Sequence, residues 1–440
     1  MLKKAYSYLL LLSSLFWLDA SAQNITKSPY SIIGLGEMVF AGNASNLAMG
    51  QITQGVRRNY EINWLNPASY SSLRQTNIEA GGTFSYGKFQ GTSQSSEVNT
   101  AWLAYLNFGM PLSVKKGMGV AFGLSPFTGV GYNIASTLVI PNDTFNINAN
   151  YLYNGRGGLS RFYAGYGMRL HKDLSVGVNF NYVFGQVKNT TQLFIPSQYN
   201  MFNLNEDRST FVHGSVFDLA AQYHKTFRFT NYDSKDKSRF HQDSLDFVFG
   251  VNFRPSSDLN AEQQYVLRTL PLGALTGSKD TVLITDNSKG ILKMPSSIKI
   301  GMSIGKADRW MLAADYRSTD WSKYSSYGVN DSLQTSFGYS IGGFYCPDPY
   351  DIKNFFNRIE YRAGFRYDQT NIKVNGLGIN EWAISTGFGI PLARSRSKLN
   401  LGFEYVDRGT NENNLIKENY FRFIIGINFS DRWFVRYRYD

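Results

Sequence analysis

The segment "DLSVGVNFNYVFGQV" (173–187) places Leu174, Val176, Val178, Phe180, Tyr182 and Phe184 on one face, and Ser175, Gly177, Asn179, Asn181, Val183 and Gly185 on the other. Only a period of two separates the residues in this way, so the chain is extended here and its two faces meet different surroundings. "NYFRFIIGINF" (419–429) repeats the pattern, with Phe421, Phe423, Ile425, Ile427 and Phe429 opposing Tyr420, Arg422, Ile424, Gly426 and Asn428. Further along the chain from Ile359, Tyr361, Ala363, Phe365 and Tyr367 oppose Glu360, Arg362, Gly364, Arg366 and Asp368.

What the apolar face meets is decided by length and by loops. Past Leu18 no window reaches the ~18 consecutive apolar residues of a membrane helix. Yet the chain is 15% aromatic and holds 41 glycines in 440 residues, which suits strands that meet lipid on one face. A soluble β-sandwich also alternates, but it joins its strands with loops of similar length. Here short joints at 111–117, 171–173, 306–308 and 391–398 alternate with long polar connections near 127–157, 188–210, 256–295, 320–334 and 408–418. Short turns at one end and long loops at the other mark an outer-membrane barrel.

Strands are expected near 74–88, 98–110, 116–126, 158–170, 173–188, 210–228, 245–255, 296–306, 309–319, 335–345, 357–369, 379–391, 397–407 and 419–430. The predicted fold is therefore all-β, a transmembrane antiparallel β-barrel of about 14 strands with an N-terminal lumenal hatch. The even count puts both barrel ends in the periplasm. Two periplasmic connections, 229–244 and 346–356, are longer than usual, and 128–139 is itself compatible with an extended strand, which leaves the count open by two.

The termini complete the expected domain plan. Residues 1–22 read as a secretory signal peptide: Lys3 and Lys4, an apolar run from Ala5 to Leu18, then Ala20-Ser21-Ala22. Residues 23–73 form the hatch, 74–430 the barrel and 431–440 a tail. In the hatch, Ile32, Ile33, Leu35, Leu47, Met49, Ile52, Val56, Ile62, Trp64 and Leu65 need burial, and a wide barrel offers its own lumen. The tail "DRWFVRYRYD" is compatible with a girdle element, a short extra strand or a docking peptide. Cys346 is the only cysteine, so an intrachain disulfide and an acylated cysteine after the signal are both excluded. The net charge of +11 comes without a short lysine-rich or arginine-rich block, so nucleic acid is not an expected partner. The charge is assigned to the lumen and the membrane edge.

Just before the first strand lies "YEINWLNPASYSSL" (60–73). Pro67 fixes its own backbone and pushes Asn66 into an extended form, so Asn66-Pro67-Ala68 is a stiff turn. In the third strand, Pro126 sits among Gly123, Gly129 and Gly131. Proline lacks a ladder donor and glycine marks a bend, so a gap in the wall is one outcome; the other is that Pro126 ends the strand at the outer rim.

A hatch carrying "AMGQITQG" (48–55) and Asn66-Pro67-Ala68, followed by about fourteen alternating strands, resembles the FadL-type family of long-chain fatty-acid and hydrophobic-compound transporters. The tripeptide matches residue for residue; the remaining likeness is architectural and covers nearly all of the mature chain. The opening "SPYSIIGLGE" (28–37) is similar to FadL-like proteins of Bacteroidota. The resemblance implies that Asn66, Pro67 and Ala68 form the hatch motif. It also implies that an inward kink of the third strand opens a lateral exit, with Gly123, Pro126, Gly129 and Gly131 as the gate.

Four histidines, His171, His213, His224 and His241, lack metal-ligand spacing, and no G-x-S-x-G, HExxH or P-loop pattern occurs. Charges on lumenal faces, Asp315, Arg317, Glu360, Arg362, Arg366 and Asp368, are expected to pair with one another or with the hatch. No enzyme, cofactor or metal is therefore expected. The leading function is passive uptake of a hydrophobic small molecule across the bacterial outer membrane by lateral diffusion. The loop 256–295 would capture the ligand with Leu259, Tyr265, Leu267 and Leu270, and "SDLNAEQQYVLRTL" within it would form a short helix capped by Ser257 or Asp258. The expected partners are membrane lipids and the ligand. The rival function is a non-transporting FadL-like subunit of an outer-membrane secretion or assembly complex, which adds protein partners.

Overall fold

A computed structural model describes residues 25–40, 42–92, 94–141, 146–195, 202–232, 240–270, 280–331, 333–392 and 395–433. The expected signal peptide lies outside the described residues, as do Phe434, Tyr437 and Tyr439 of the tail. The strands in chain order are β1 (Glu37–Met38), β2 (Thr76–Gln90), β3 (Ser95–Ser113), β4 (Met118–Pro141), β5 (Asn146–Arg169) and β6 (Leu174–Phe194). Next come β7 (Asn203–Tyr232), β8 (Phe240–Arg254), β9 (Ser257–Leu270), β10 (Asp280–Met294), β11 (Ser297–Lys306) and β12 (Trp310–Thr319). The last are β13 (Ser325–Ser326), β14 (Ser336–Tyr345), β15 (Glu360–Val374), β16 (Leu377–Pro391), β17 (Lys398–Arg408) and β18 (Lys417–Asp431).

Fourteen of these close the wall, all antiparallel: β2 to β8, then β11, β12 and β14 to β18. Closure is made by β18 on β2, in register from Lys417/Gln90 to Asp431/Thr76, so the ring has no free end at this seam. Alternation then decides the two surfaces. Phe84, Phe122, Phe180, Phe249, Phe365 and Phe421 are exposed on the outside, while Asn107, Asn179, Asp315, Arg362, Arg366 and Glu404 are buried on the inside. An apolar exterior on a closed wall is a transmembrane barrel of the outer-membrane kind. The end where β2 begins and β18 ends is the periplasmic end.

The opposite end is built from strands where loops were expected. β4 and β5 stay paired to Pro141/Asn146, β5 and β6 to Asn150/Phe194, and β6 and β7 to Leu193/Leu204. The segment 257–270 is a strand and not a helix: β9 pairs with β7 from Asn203/Leu270 to His213/Asn260, and with β10 on its other side. An unfilled edge on β7 satisfies its backbone groups, and that outweighs the weak helical pattern. At the β15–β16 turn, Asn375 and Gly376 have φ of 51° and 83°, the geometry of a two-residue hairpin, which glycine adopts without strain.

The described residues of 25–73 have little regular structure: 3₁₀ turns at Pro29–Ile32 and Pro67–Ser72, one helical turn at Ala44–Leu47 and the two-residue β1. Their polar groups meet wall residues around the ring. Asp315 of β12 accepts from the amides of Thr53 (2.6 Å) and Gln54 (2.9 Å). Ser303 of β11 donates to the Gly55 carbonyl, Gln222 of β7 to that of Gln54, Asn179 of β6 to that of Trp64, and Asn428 of β18 to that of Tyr60. Glu79 of β2 accepts from the Ile62 amide, and Ser385 of β16 from that of Gly50. A segment bonded to strands on all sides of a ring occupies its interior. Gly50 shows how close the approach is, since a Cβ there would lie 2.9 Å from the Phe365 backbone, at a φ of +72°. Leu47, Met49, Ile52, Val56, Ile62, Trp64 and Leu65 are buried, whereas Ile32 is exposed because its turn points Tyr30 and Ser31 inward.

Candidate functional site

β3 and β4 pair only from Ser113/Met118 up to Leu106/Leu124. Above that point β3 keeps β2 alone, and β4 continues outward with β5. The β4–β5 register slips between Pro126 and Thr128, so Phe127 is an inserted residue. Alternation stops there: every residue from Ser125 to Tyr132 is buried, so both faces of the strand are covered. A residue without an N–H followed by a bulge bends the strand inward. Pro126 therefore does not end the strand, which runs on to Pro141.

The bend is held from inside by β1. Glu37 and Met38 pair with Gly129 and Thr128, Val39 donates to the Phe127 carbonyl at 3.1 Å, and Gly131 donates to Ser31 Oγ at 3.1 Å. Of the four residues expected at a gate, Pro126, Gly129 and Gly131 lie in the bend, while Gly123 lies below it in the regular ladder opposite Asn107. Sequence reasoning missed β1; the signal was "GLGE", whose Gly34 and Gly36 both have positive φ.

Between the bend, the hatch and the opposite wall is a cavity of about 290 Å³. Its apolar lining includes Met38, Phe40, Leu65 and Phe127, and the unpaired upper part of β3 adds Val98, Trp102 and Ala104. Much of its charged lining is paired, whereas Arg161, which bonds Ser125 Oγ at 3.2 Å, and Lys299 line it without a carboxylate within ion-pair distance among the described residues. Arg366 meets Glu381 and bonds Glu404 at 2.9 Å, Arg408 bonds Glu37 at 2.8 Å and Glu381 at 3.1 Å, Arg422 bonds Glu404 at 3.1 Å, and Arg317 bonds Asp368 at 2.6 Å. Such pairing removes most of the penalty of placing charge beside apolar surface.

The Asn-Pro-Ala turn is elsewhere. Asn66 is the N-cap of the Pro67–Ser72 turn, its Oδ1 accepting from the Ala68 amide at 3.2 Å, with proline in the first position where a missing N–H costs nothing. Pro67 packs on Gly167 of β5 and Gly177 of β6, where any Cβ would collide with its carbonyl. The turn thus rests against β5 and β6, away from Pro126. Tyr70 follows in the same turn; burial pushes its hydroxyl above the usual tyrosine range, so it stays protonated and donates to Asn179 Oδ1 at 3.0 Å. Trp64 stacks on Tyr163 of β5 at 5.2 Å, with the Arg161 guanidinium 4.5 Å above the indole.

The expected capture residues do not gather at a surface. Leu259 and Leu270 are buried, Leu259 in a cluster with Leu292, Trp321 and Tyr324, and Tyr265 and Leu267 are half-buried along β9. The part of the expected capture loop from 271 to 279 lies outside the described residues. His213 and His224 share β7, where His224 lies 3.4 Å from Asp246; among the described residues no group of side chains is arranged to hold a metal. Trp433 of the tail packs on Phe108 at 5.7 Å.

A BamG family model matches residues 1–440. Among solved structures, a Pseudomonas aeruginosa FadL homologue is similar at a TM-score of 0.58 and 11% identity, over 90% of this chain and 99% of that one. The toluene transporter TbuX of Ralstonia pickettii is similar at 0.53 and 13%, over 88% and 98%. At these identities the likeness is one of fold. No curated protein sequence matches this chain.

Proposed function

We propose a function from one premise: the chain belongs to the BamG family. On our reading it is a non-enzymatic outer-membrane barrel that lets a small hydrophobic molecule cross passively. The observation that carries the reading is the parting of β3 and β4 above Leu106 and Leu124, beside a cavity lined by Phe40, Trp102 and Phe127. A molecule entering from the outer end would rest against these side chains and leave sideways past Ala104, without passing through the hatch. Each Å² of apolar surface it buries would stabilise it by ~25 cal/mol. Residues 23–73 serve as the hatch, with Asn66, Pro67 and Ala68 fixing its last turn on the wall. The FadL homologue and the toluene transporter share only the fold, and they suggest the cargo class by analogy. The test is uptake of radiolabelled toluene and oleate by cells with and without the protein; equal uptake of both compounds would sink the reading.

The match of the BamG family model over residues 1–440 leaves a second reading, a non-transporting subunit of a secretion or assembly complex. The hatch, pinned by the buried carboxylates Glu79, Asp315 and Glu360, the last bonded to Arg58 at 2.9 Å, stays fixed in either reading. Purification in mild detergent with stoichiometric protein partners and no bound apolar compound would favour the second.

A further inference from the structure

On the periplasmic side of the hatch lies a second cavity, of about 550 Å³. Six cationic side chains line it, Arg57, Arg74, Arg169, Lys172, Lys225 and Arg228, against one carboxylate, Asp173. That carboxylate is already engaged, bonded to Lys225 at 2.9 Å. The cations come from three separate places: Arg57 from the hatch and Arg74 from its junction with β2, Arg169 and Lys172 from the end of β5 and its turn, Lys225 and Arg228 from the end of β7.

Arg57 is the informative member. Arg58, Arg254, Arg362, Arg366 and Arg408 each have a carboxylate within ion-pair distance. The partly buried Arg57 guanidinium, like that of Arg161 at the other cavity, bonds only neutral acceptors: Ser71 Oγ (2.9 Å), Gln222 Oε1 (3.1 Å), Ser175 Oγ (3.3 Å) and the Ala68 carbonyl (3.4 Å). Burial, and the neighbouring Arg169, push it down to about 10, so it remains charged at neutral pH with no counter-ion among the described residues. Positive charge gathered around a cleft raises the local concentration of anions and favours an anionic occupant.

We propose that this periplasmic cavity binds an acidic peptide segment, whose carboxylates span the hatch, the β5 turn and the end of β7. The volume lies within the range of ligand sites and exceeds what one phosphate fills. Asn59 adds a neutral amide that suits a main-chain amide, whereas the hydroxyls of Ser71, Ser72 and Thr226 donate within the protein, to the Ala68 and Ser69 carbonyls and to Asp246. The site is on the far side of the hatch from the 290 Å³ cavity, so it stands independently of the uptake reading.

The probe is fluorescein-labelled hexaglutamate, followed by anisotropy on the detergent-purified full chain at low and high salt. Saturable binding that weakens with salt is expected. The exposed-residue variant Arg74→Gln/Arg169→Gln/Lys172→Gln should bind at least about tenfold more weakly, and inorganic phosphate should compete only in large excess. Should that variant fail to assemble, Arg228→Gln alone should lower affinity about threefold. Absence of saturable binding, wild-type affinity in the assembled variants, or displacement by near-stoichiometric phosphate would each overturn the proposal.

Discussion

Leu106 and Leu124 are the last residues that β3 and β4 share, and both are exposed on the outer face. Above this pair the two strands diverge, one staying with the wall and the other turning inward over Phe127.

If apolar cargo leaves through that divergence, a large side chain at its edge should obstruct it. Ala104→Trp, on the unpaired side of β3, should slow toluene uptake at least about fivefold while heat-modifiable gel mobility stays normal. Unchanged uptake in an assembled variant would remove this route.

Asp315 holds the hatch by two backbone amides. Asp315→Ala leaves both without their acceptor, at a cost of about 1–3 kcal/mol each if they stay dry. We expect a lower unfolding temperature and larger or noisier single-channel conductance in planar bilayers. A quiet, wild-type trace would show that the remaining bonds suffice.

Glu404 serves two arginines, Arg366 at 2.9 Å and Arg422 at 3.1 Å. Removing one carboxylate from a buried network typically costs about 3–5 kcal/mol, because the cations it leaves behind are uncompensated. Glu404→Ala should therefore lower the temperature of heat-modification much more than Glu412→Ala on the outer loop, where Glu412 is exposed.

Topology is testable by labelling. Val282 of β10 is 59% exposed, so Val282→Cys should react with an impermeant maleimide in intact cells. Cys346 is buried, and burial also pushes its thiol up to about 11, so both access and thiolate are low and its background labelling should be small, as checked on the unsubstituted protein. Labelling of Val282→Cys only after lysis would invert the barrel.

Alternation by itself determined the extended chain and the opposite facing of residues such as Phe180 and Asn179, because a period of two follows from backbone geometry; the unequal joints added the barrel and a count of about fourteen strands. The stiffness of Asn66-Pro67-Ala68 was likewise local, arising from a proline ring and an N-cap amide. What only the tertiary structure decided are relationships between distant segments. Ser257–Leu270 became a strand because β7 offered an edge, which no local pattern contains. Glu37 reached Arg408, and Pro67 found Gly167 and Gly177, because the hatch folds inside a ring that brings these strands, a hundred residues away or more, against it. Pro126 is ambiguous in isolation. Its neighbour Phe127 lies in the buried cluster with Leu159 and Val183 beside the β1 pairing, so these distant contacts, together with the proline and the bulge, set the direction of the bend.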